Sequence, residues 1–154
     1  MQRTPEIVNI SPAWVEHLTS FFEALVSCGE GRYFHPHPLT RDEAMTRAHY
    51  RGNDVYYLLT ENETIIGYGM LRGWDAGYDI PSLGIVIHPR ARGTGLGRAF
   101  MHFLHAVARR KGATKIRLKV YRENTMAFRL YRKLGYVFEG QEEGGQVVGY
   151  LDLV

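Results

Sequence analysis

A glycine-rich segment in the middle of the chain, residues 88–98, has the composition of an anion-binding turn. It contains three alternating glycines and three arginines, which are Gly93, Gly95, Gly97, Arg90, Arg92 and Arg98. Glycine has no Cβ, so backbone N–H groups in such a segment can converge on an oxyanion. The arginines would add positive charge for a ligand with several phosphates. The segment therefore predicts phosphate or diphosphate binding, the alternative being a tight turn with exposed arginines.

The elements around this segment place it between a strand and a helix. The apolar run in Pro81–His88 predicts a strand that stops at Pro89. Residues 95–111 have apolar side chains at helical spacing, followed by Gly112, and predict a long helix. The positive end of that helix dipole would lie at the turn, which favours an anionic ligand there.

Two nucleotide-binding motifs with similar glycines do not fit. A dinucleotide fingerprint counted from Gly93 requires a glycine where Arg98 stands, and it requires a carboxylate near the position of Lys119. A P-loop requires Gly-Lys-Ser or Gly-Lys-Thr, and neither tripeptide occurs in the chain.

The remaining segments predict further helices and strands. Helices are expected over 12–28, with Ser11 as N-cap, from the capping-box pattern Thr40-x-x-Glu43 to before Gly52, and over 124–134. Strands are expected over 55–60 and 64–72, joined by a tight hairpin, over 115–121, and on both sides of Gly144-Gly145. The helix before strand 115–121 predicts a parallel crossover from strand 81–88.

Two blocks of residues resemble one known family. Arg92-Gly-Thr-Gly95-Leu-Gly97 is similar to the Arg/Gln-x-x-Gly-x-Gly/Ala signature of the GCN5-related N-acetyltransferase (GNAT) superfamily, and Ile85-Val-Ile-His-Pro89 resembles its preceding strand. Asn124-x-x-Ala127-x-x-x-Tyr131-x-x-x-Gly135-Tyr136 resembles the family's Asn…Ala…Leu-Tyr-x-x-x-Gly-Phe segment. The resemblance implies an α+β fold over one domain, residues 1–154, with a mixed, mostly antiparallel sheet of six or seven strands, one central parallel pair and about four flanking helices.

The resemblance also implies that acetyl-CoA binds in a gap between the two parallel strands. The backbone of the first strand would pair with the pantetheine arm, and the turn would bind the diphosphate. The residues implied for cofactor binding are Ile85, Val86, Ile87, Arg92, Gly93, Thr94, Gly95, Leu96, Gly97, Arg98, Asn124 and Tyr131. No metal is expected, because His35 and His37 have no third ligand at a useful spacing.

Tyr131 matches the family tyrosine that protonates the departing thiolate, and its alternative role is a core aromatic. A phenol with a pKa of about 10 can donate to a thiolate whose conjugate acid has a pKa near 8.5. Family carboxylates that accept the amine proton are missing, since Lys119 and Pro81-Ser82 stand at their positions. Asp79 is the first candidate base, with Asp75, Glu123 and a water molecule as alternatives.

Two loops, 30–38 and 73–79, are expected to face the acceptor, and both mix aromatic residues with carboxylates. Lys115, Arg117 and Lys119 share one side of their strand, ordinarily a solvated face. If Lys119 reaches the acceptor cavity, the site favours an anionic substrate such as an amino sugar on a nucleotide diphosphate. His102 and His105 are expected at the edge of the long helix.

These patterns predict an N-acetyltransferase that moves an acetyl group directly from acetyl-CoA to the primary amine of a small molecule. The alternatives are a non-catalytic CoA-binding module, a protein or peptide N-acetyltransferase, and a basic nucleic-acid binder. With 154 residues, 45% hydrophobic residues and a net charge of +3, the chain has too little excess charge to require nucleic acid. One cysteine, no apolar run in residues 1–12 and no membrane-length segment predict a cytoplasmic protein, monomeric or homodimeric, that binds neither nucleic acid nor membrane.

Overall fold

The computed structural model describes residues 4–154, and its centre is one mixed sheet. Its strands within that range are β1 (Pro5–Asn9), β2 (Val55–Glu61), β3 (Thr64–Arg72), β4 (Ser82–Ile87), β5 (Lys115–Val120), β6 (Val137–Glu143) and β7 (Gln146–Asp152). They lie in the order β1-β2-β3-β4-β5-β7-β6. Only β4 and β5 pair in parallel, as the crossover through a helix predicts. The expected sheet of six or seven strands with one central parallel pair is thus confirmed.

Helices cover both faces of this sheet. The described residues form α1 (Val15–Ser27), α2 (Arg41–Ala48), α3 (Leu96–Arg110) and α4 (Thr125–Lys133). One core joins α1 and α2 to β2, β3 and β4, and the other joins α3 and α4 to the opposite face. The longest of these helices has 15 residues, and none in the described part of the chain is long and apolar enough to cross a membrane.

The two sides of β5 show how the sequence pattern assigns the faces. Ile116, Leu118 and Val120 are buried in the core beneath α3 and α4. The alternating cations Lys115, Arg117 and Lys119 therefore stand on the face that α1 and α2 cover farther along the sheet. Neither α1 nor α2 extends over β5, so this part of the face is open to the functional cleft.

Most element predictions are confirmed, with two corrections. Strand β1 was not expected; it is a five-residue edge strand whose partner β2 lies far away in the sequence. Ser11 makes no capping hydrogen bond, because a 3-10 turn at Pro12–Trp14 precedes α1. The Thr40 cap is confirmed, since its hydroxyl accepts the N–H of Glu43 at 3.2 Å. The hairpin is also confirmed, as a two-residue turn between β2 and β3.

The parallel pairing between β4 and β5 is very short. Its register contains only Ser82 opposite Arg117 and Leu83 opposite Leu118. Beyond this point β4 follows β3, while β5 follows β7. The two strands diverge, and β4 from Gly84 onward has no strand partner on this side.

Candidate active site

The gap between β4 and β5 opens into a cleft of about 1640 Å³. Its walls come from β4, the following turn, β5, the start of α4 and the loop between α1 and α2. Most residues predicted for the cofactor line it, namely Ile85, Val86, Ile87, Arg92, Gly93, Gly95, Gly97, Arg98, Asn124 and Tyr131. Thr94 and Leu96, which were predicted with them, lie outside its lining.

The glycine-rich turn leaves a row of backbone donors free. None of the N–H groups from Gly93 to Arg98 has a protein acceptor among residues 4–154, because the first turn of α3 begins there. Gly95 caps the helix with a φ of +89°, which an L side chain adopts only with strain. The free donors and the helix dipole together make this turn a site for an anion.

The arginines of the turn differ in their availability. The Arg92 side chain donates through Nε to the carbonyl of Ile87 at 2.9 Å, and its Nη2 lies 2.7 Å from Glu30 Oε2. Its backbone N–H donates to Pro89 at 3.3 Å. Arg92 therefore holds the turn against β4 and the α1–α2 loop. Arg98 is exposed and forms no ion pair in the described part of the chain, so its charge faces the cleft freely.

Tyr131 on α4 combines a buried ring with an accessible hydroxyl. The side chain is only 8% exposed, and burial raises its pKa to about 12. Within residues 4–154 the hydroxyl has no hydrogen-bond partner. It is accessible from the cleft, which Tyr131 lines. It is therefore a protonated donor in contact with the cleft at neutral pH. The expected core packing is also present, and the role of Tyr131 as a proton donor stays a prediction.

The ring of Tyr131 packs against that of Tyr136, with centroids 5.9 Å apart. The Tyr136 hydroxyl lies 2.8 Å from His105 Nε2. His105 is 3% exposed, which corrects the expectation of a helix-edge position. Burial lowers the His105 pKa to about 4 and raises the Tyr136 pKa, so both groups are neutral.

Asn124 directly precedes α4, and its side chain makes no capping hydrogen bond. It lines the cleft with its amide free of protein partners among the described residues. On the opposite wall, Ile85 and Ile87 pack into the α3 side of the sheet, while Val86 belongs to the α1 side. The backbone N–H and C=O groups of β4 on the side of the gap are therefore available to an extended ligand.

The candidate bases have different surroundings. Asp79 is exposed, lines the cleft and has no hydrogen-bond or ion-pair partner in residues 4–154. Glu123 is likewise exposed at the cleft. Asp75 accepts the N–H of Asn53 at 2.8 Å. Asp79 is thus a carboxylate free to accept a proton, as a general base must be.

The loop between α1 and α2 is tied to both sides of the gap. Glu30 pairs with Arg92 after β4, and His35 Nε2 lies 2.8 Å from the Tyr121 hydroxyl after β5. Arg72 Nη1 donates to the carbonyl of Pro36 at 2.7 Å. The sequence predicted that this loop faces the acceptor but not these contacts, because their partners are distant in the chain.

The histidines form no metal cluster. His37 is buried, and its Nε2 lies 2.9 Å from the Tyr68 hydroxyl in the core under α1. In residues 4–154 no group of three or more metal-binding side chains comes together.

Comparison with known proteins gives consistent findings. The model of the acetyltransferase (GNAT) family matches residues 13–136. An uncharacterized N-acetyltransferase of Mycobacterium tuberculosis is 31% identical over 126 residues, which are 81% of this chain and 70% of that protein. The GNAT domain of S. lividans PAT has a TM-score of 0.83 at 20% identity, with 96% of this chain and 90% of that chain covered. The PaiA N-acetyltransferase of Thermoplasma acidophilum, solved in complex with coenzyme A, has a TM-score of 0.78 at 18% identity, with coverages of 97% and 99%.

Proposed function

The chain belongs to the GNAT family of acetyltransferases, and on that premise we propose that it transfers an acetyl group from acetyl-CoA directly to the primary amine of a small molecule. The observation that carries this proposal is the row of free N–H groups from Gly93 to Arg98 beside the divergence of β4 and β5. Free amides at a helix N-terminus bind phosphate oxygens, and an unpaired strand edge accepts an extended, amide-containing chain. Coenzyme A has both kinds of group, a diphosphate and an extended arm that contains amides.

The residues of the cleft fit this ligand. The diphosphate would bind at the N–H groups of Gly93–Arg98, with the free guanidinium of Arg98 adding charge. The pantetheine arm would lie along β4 at Ile85–Ile87, and Asn124 would bind its amide from the α4 side. Thr94 and Leu96 alternate with the lining residues Gly93, Gly95 and Gly97 and do not themselves line the cleft.

The reaction needs one proton donor and one proton acceptor. The amine nitrogen attacks the thioester carbonyl carbon, the C–S bond breaks, and the electron pair remains on sulfur. Tyr131 donates its hydroxyl proton to the leaving thiolate and regains a proton from solvent. The amine loses its proton to Asp79, directly or through water. A Tyr131 pKa of about 12 keeps the donor protonated across the neutral range.

The size of the acceptor follows from the loop between α1 and α2. Because Glu30 and His35 tie this loop to opposite sides of the gap, it limits access from the acceptor side. A small amine fits such a site better than a polypeptide, which needs an open groove for its flanking residues.

Thiol release from acetyl-CoA over a panel of amines tests the proposal, with Tyr131→Phe as the matched variant. We expect activity on small amines, and a kcat that falls roughly 10²-fold in the variant while CoA affinity is unchanged, because only the proton donor is removed. Unchanged turnover would remove Tyr131 from the mechanism. CoA binding without thiol release for any amine would instead identify a binding module.

A further inference from the structure

The acceptor side of the cleft has a row of polar side chains across four adjacent strands. The register places Arg72 beside Ser82, Ser82 beside Arg117, and Arg117 beside Tyr150. Laterally paired residues project from the same face of a sheet, and here this is the face of α1 and α2. All four residues line the cleft, at the point where β4 and β5 separate.

One cation in this row is already neutralised by the protein. Arg117 forms a close ion pair with Glu143, and Gln141 donates to the same carboxylate at 3.2 Å. The Tyr150 hydroxyl completes this group by donating to Gln141 at 3.3 Å. These four side chains form a polar wall on the β6–β7 side of the cleft, in which Arg117 Nε is buried without a hydrogen-bond partner among the described residues.

The other cations of this side lack such a partner. Arg72 donates through Nη1 to the Pro36 carbonyl but forms no ion pair with a carboxylate in residues 4–154. Its guanidinium therefore retains further N–H donors. Lys119 is exposed at the gap, two residues after Arg117 on the same face, and likewise forms no ion pair there. The Ser82 hydroxyl beside Arg72 has no protein partner among these residues either.

The carboxylates near Arg72 and Lys119 differ in whether they are free to interact with a ligand. Asp54 Oδ1 accepts the backbone N–H groups of residues 73, 74 and 75 at 3.0, 2.9 and 3.3 Å, and so holds that loop. Glu123 lies at the α4 side, next to Asn124. Asp79 precedes β4 by only a few residues and is the free carboxylate nearest in sequence to Ser82.

We propose that the acceptor is a primary amine that also carries an oxyanion, a carboxylate or a phosphate, bound by Arg72 and Ser82 with Lys119 at the rim. This inference rests on the proposed function. A guanidinium and a hydroxyl on adjacent strands suit an oxyanion, because both donate hydrogen bonds and one is charged. Asp79 then faces the amine end of the same molecule. A polyamine would bring a second positive charge to this pair of cations and is disfavoured.

The test compares acceptors that differ only in this group. Glucosamine 6-phosphate against glucosamine probes a phosphate, glutamate against its diamide probes a carboxylate, and spermidine probes a second cation. We expect kcat/KM to be at least about tenfold higher for one anionic member than for its neutral partner. Which pair shows the difference identifies the oxyanion.

Variants assign the effect to the proposed residues. Lys119→Gln and Arg72→Gln should each raise KM for the anionic acceptor about tenfold, and so reduce the preference for the anionic acceptor over its neutral partner. Lys115→Gln is the matched control, since Lys115 lies on the same face of β5 but pairs with Asp152 outside the cleft lining. Because Lys119 is exposed and unpaired, its variant remains informative if Arg72→Gln does not fold.

The two proposals fail in different ways. Absence of thiol release with every amine contradicts the proposed function itself. Acetylation of neutral amines or spermidine at least as efficient as that of the anionic acceptors, and unchanged in Lys119→Gln, overturns the inference while the enzymatic function stands.

Discussion

Individual residues of the cleft divide into those whose polar groups the protein already uses and those it leaves free. Arg92 and Arg117 form ion pairs with carboxylates. These ion pairs hold the turn and the β6–β7 wall in place. Tyr131 and Asn124 have no protein hydrogen bond for their side-chain polar groups among the described residues. The Tyr131 hydroxyl and the Asn124 amide are therefore available to a ligand in the cleft.

Asp79→Asn is predicted to lower kcat/KM for amine acetylation by roughly 10²-fold, because an amide cannot accept the amine proton. Asp75→Asn is the control, since Asp75 lies in the same loop and its amide analogue can still accept the Asn53 N–H. Steady-state thiol release measures both. Equal activity of Asp79→Asn and the unmodified protein would exclude Asp79 and assign proton removal to Asp75, Glu123 or water.

The sequence could predict the site where its residues are close together in the chain. The turn follows from the spacing of its glycines, and Asn124 and Tyr131 follow from the resemblance to the family motif. Gly93, Gly95 and Gly97 line one cleft together with Asn124 and Tyr131. The partners of Arg92 and His35 could not be predicted, because Glu30 and Tyr121 reach them only through the folded loop. Thr94 and Leu96 belong to the same motif but lie outside the cleft lining, which the motif alone does not predict.

At the scale of elements, the strand-turn-helix unit β4–α3 supplies most of the cofactor side. Its turn requires a left-handed backbone at Gly93 and Gly95, with φ values of +83° and +89°. No other atom lies within 4 Å of a Cβ built at either position. The glycines are therefore needed for backbone shape rather than for packing within the protein.

Gly95→Ala is predicted to weaken CoA binding about tenfold, because a Cβ would narrow the approach to the free N–H groups. The strained φ should also lower the free energy of unfolding by about 1 kcal/mol. Gly77→Ala is the matched control: its φ of +86° and open surroundings give the same strain, but Gly77 lies outside the cleft lining. Calorimetric CoA titration and thermal unfolding separate the two effects. Equal CoA affinity in both variants would show that the turn does not bind the diphosphate.

The elements themselves were largely predictable because their patterns are local. The apolar faces of α3 and β5 and the Thr40 cap are visible in short windows of sequence. Strand β1 was missed because it is short, lies at the sheet edge and is only partly buried. Its pairing with β2 depends on a contact between distant segments, which no local pattern reports.

At the scale of the whole molecule, the two cores each enclose a histidine–tyrosine hydrogen bond. His37 joins Tyr68 under α1, and His105 joins Tyr136 under α3 and α4. Burial lowers the pKa of both histidines. The fold consequently keeps both histidines neutral, one on each side of the sheet. Protonation of either histidine at low pH therefore favours the unfolded chain.

Acid should therefore destabilise the fold. The His105 pKa is about 4 in the folded chain and about 6.5 when unfolded. Between these values the unfolded chain binds more protons, so stability falls as the pH drops, by about 2 kcal/mol for this group at pH 5. Denaturant unfolding at pH 7.5 and 5 should show a smaller loss in His105→Gln. His49→Gln, at the exposed C-terminal end of α2 on the other face of the sheet, should retain the full loss; parallel pH dependence in all three proteins would contradict this assignment.

The short pairing of β4 with β5 also affects how the molecule meets its surroundings. Unpaired strand edges are where folded chains adhere to one another, and they usually lie at the outer margins of a sheet. Here one such edge lies in the interior, between two strands that are themselves fixed by β3 and β7. A strand of another protein's sheet would have to bring its neighbouring strands into this gap, whereas a single extended chain has no such neighbours. The edge of β4 is therefore better suited to a ligand arm than to pairing with another protein.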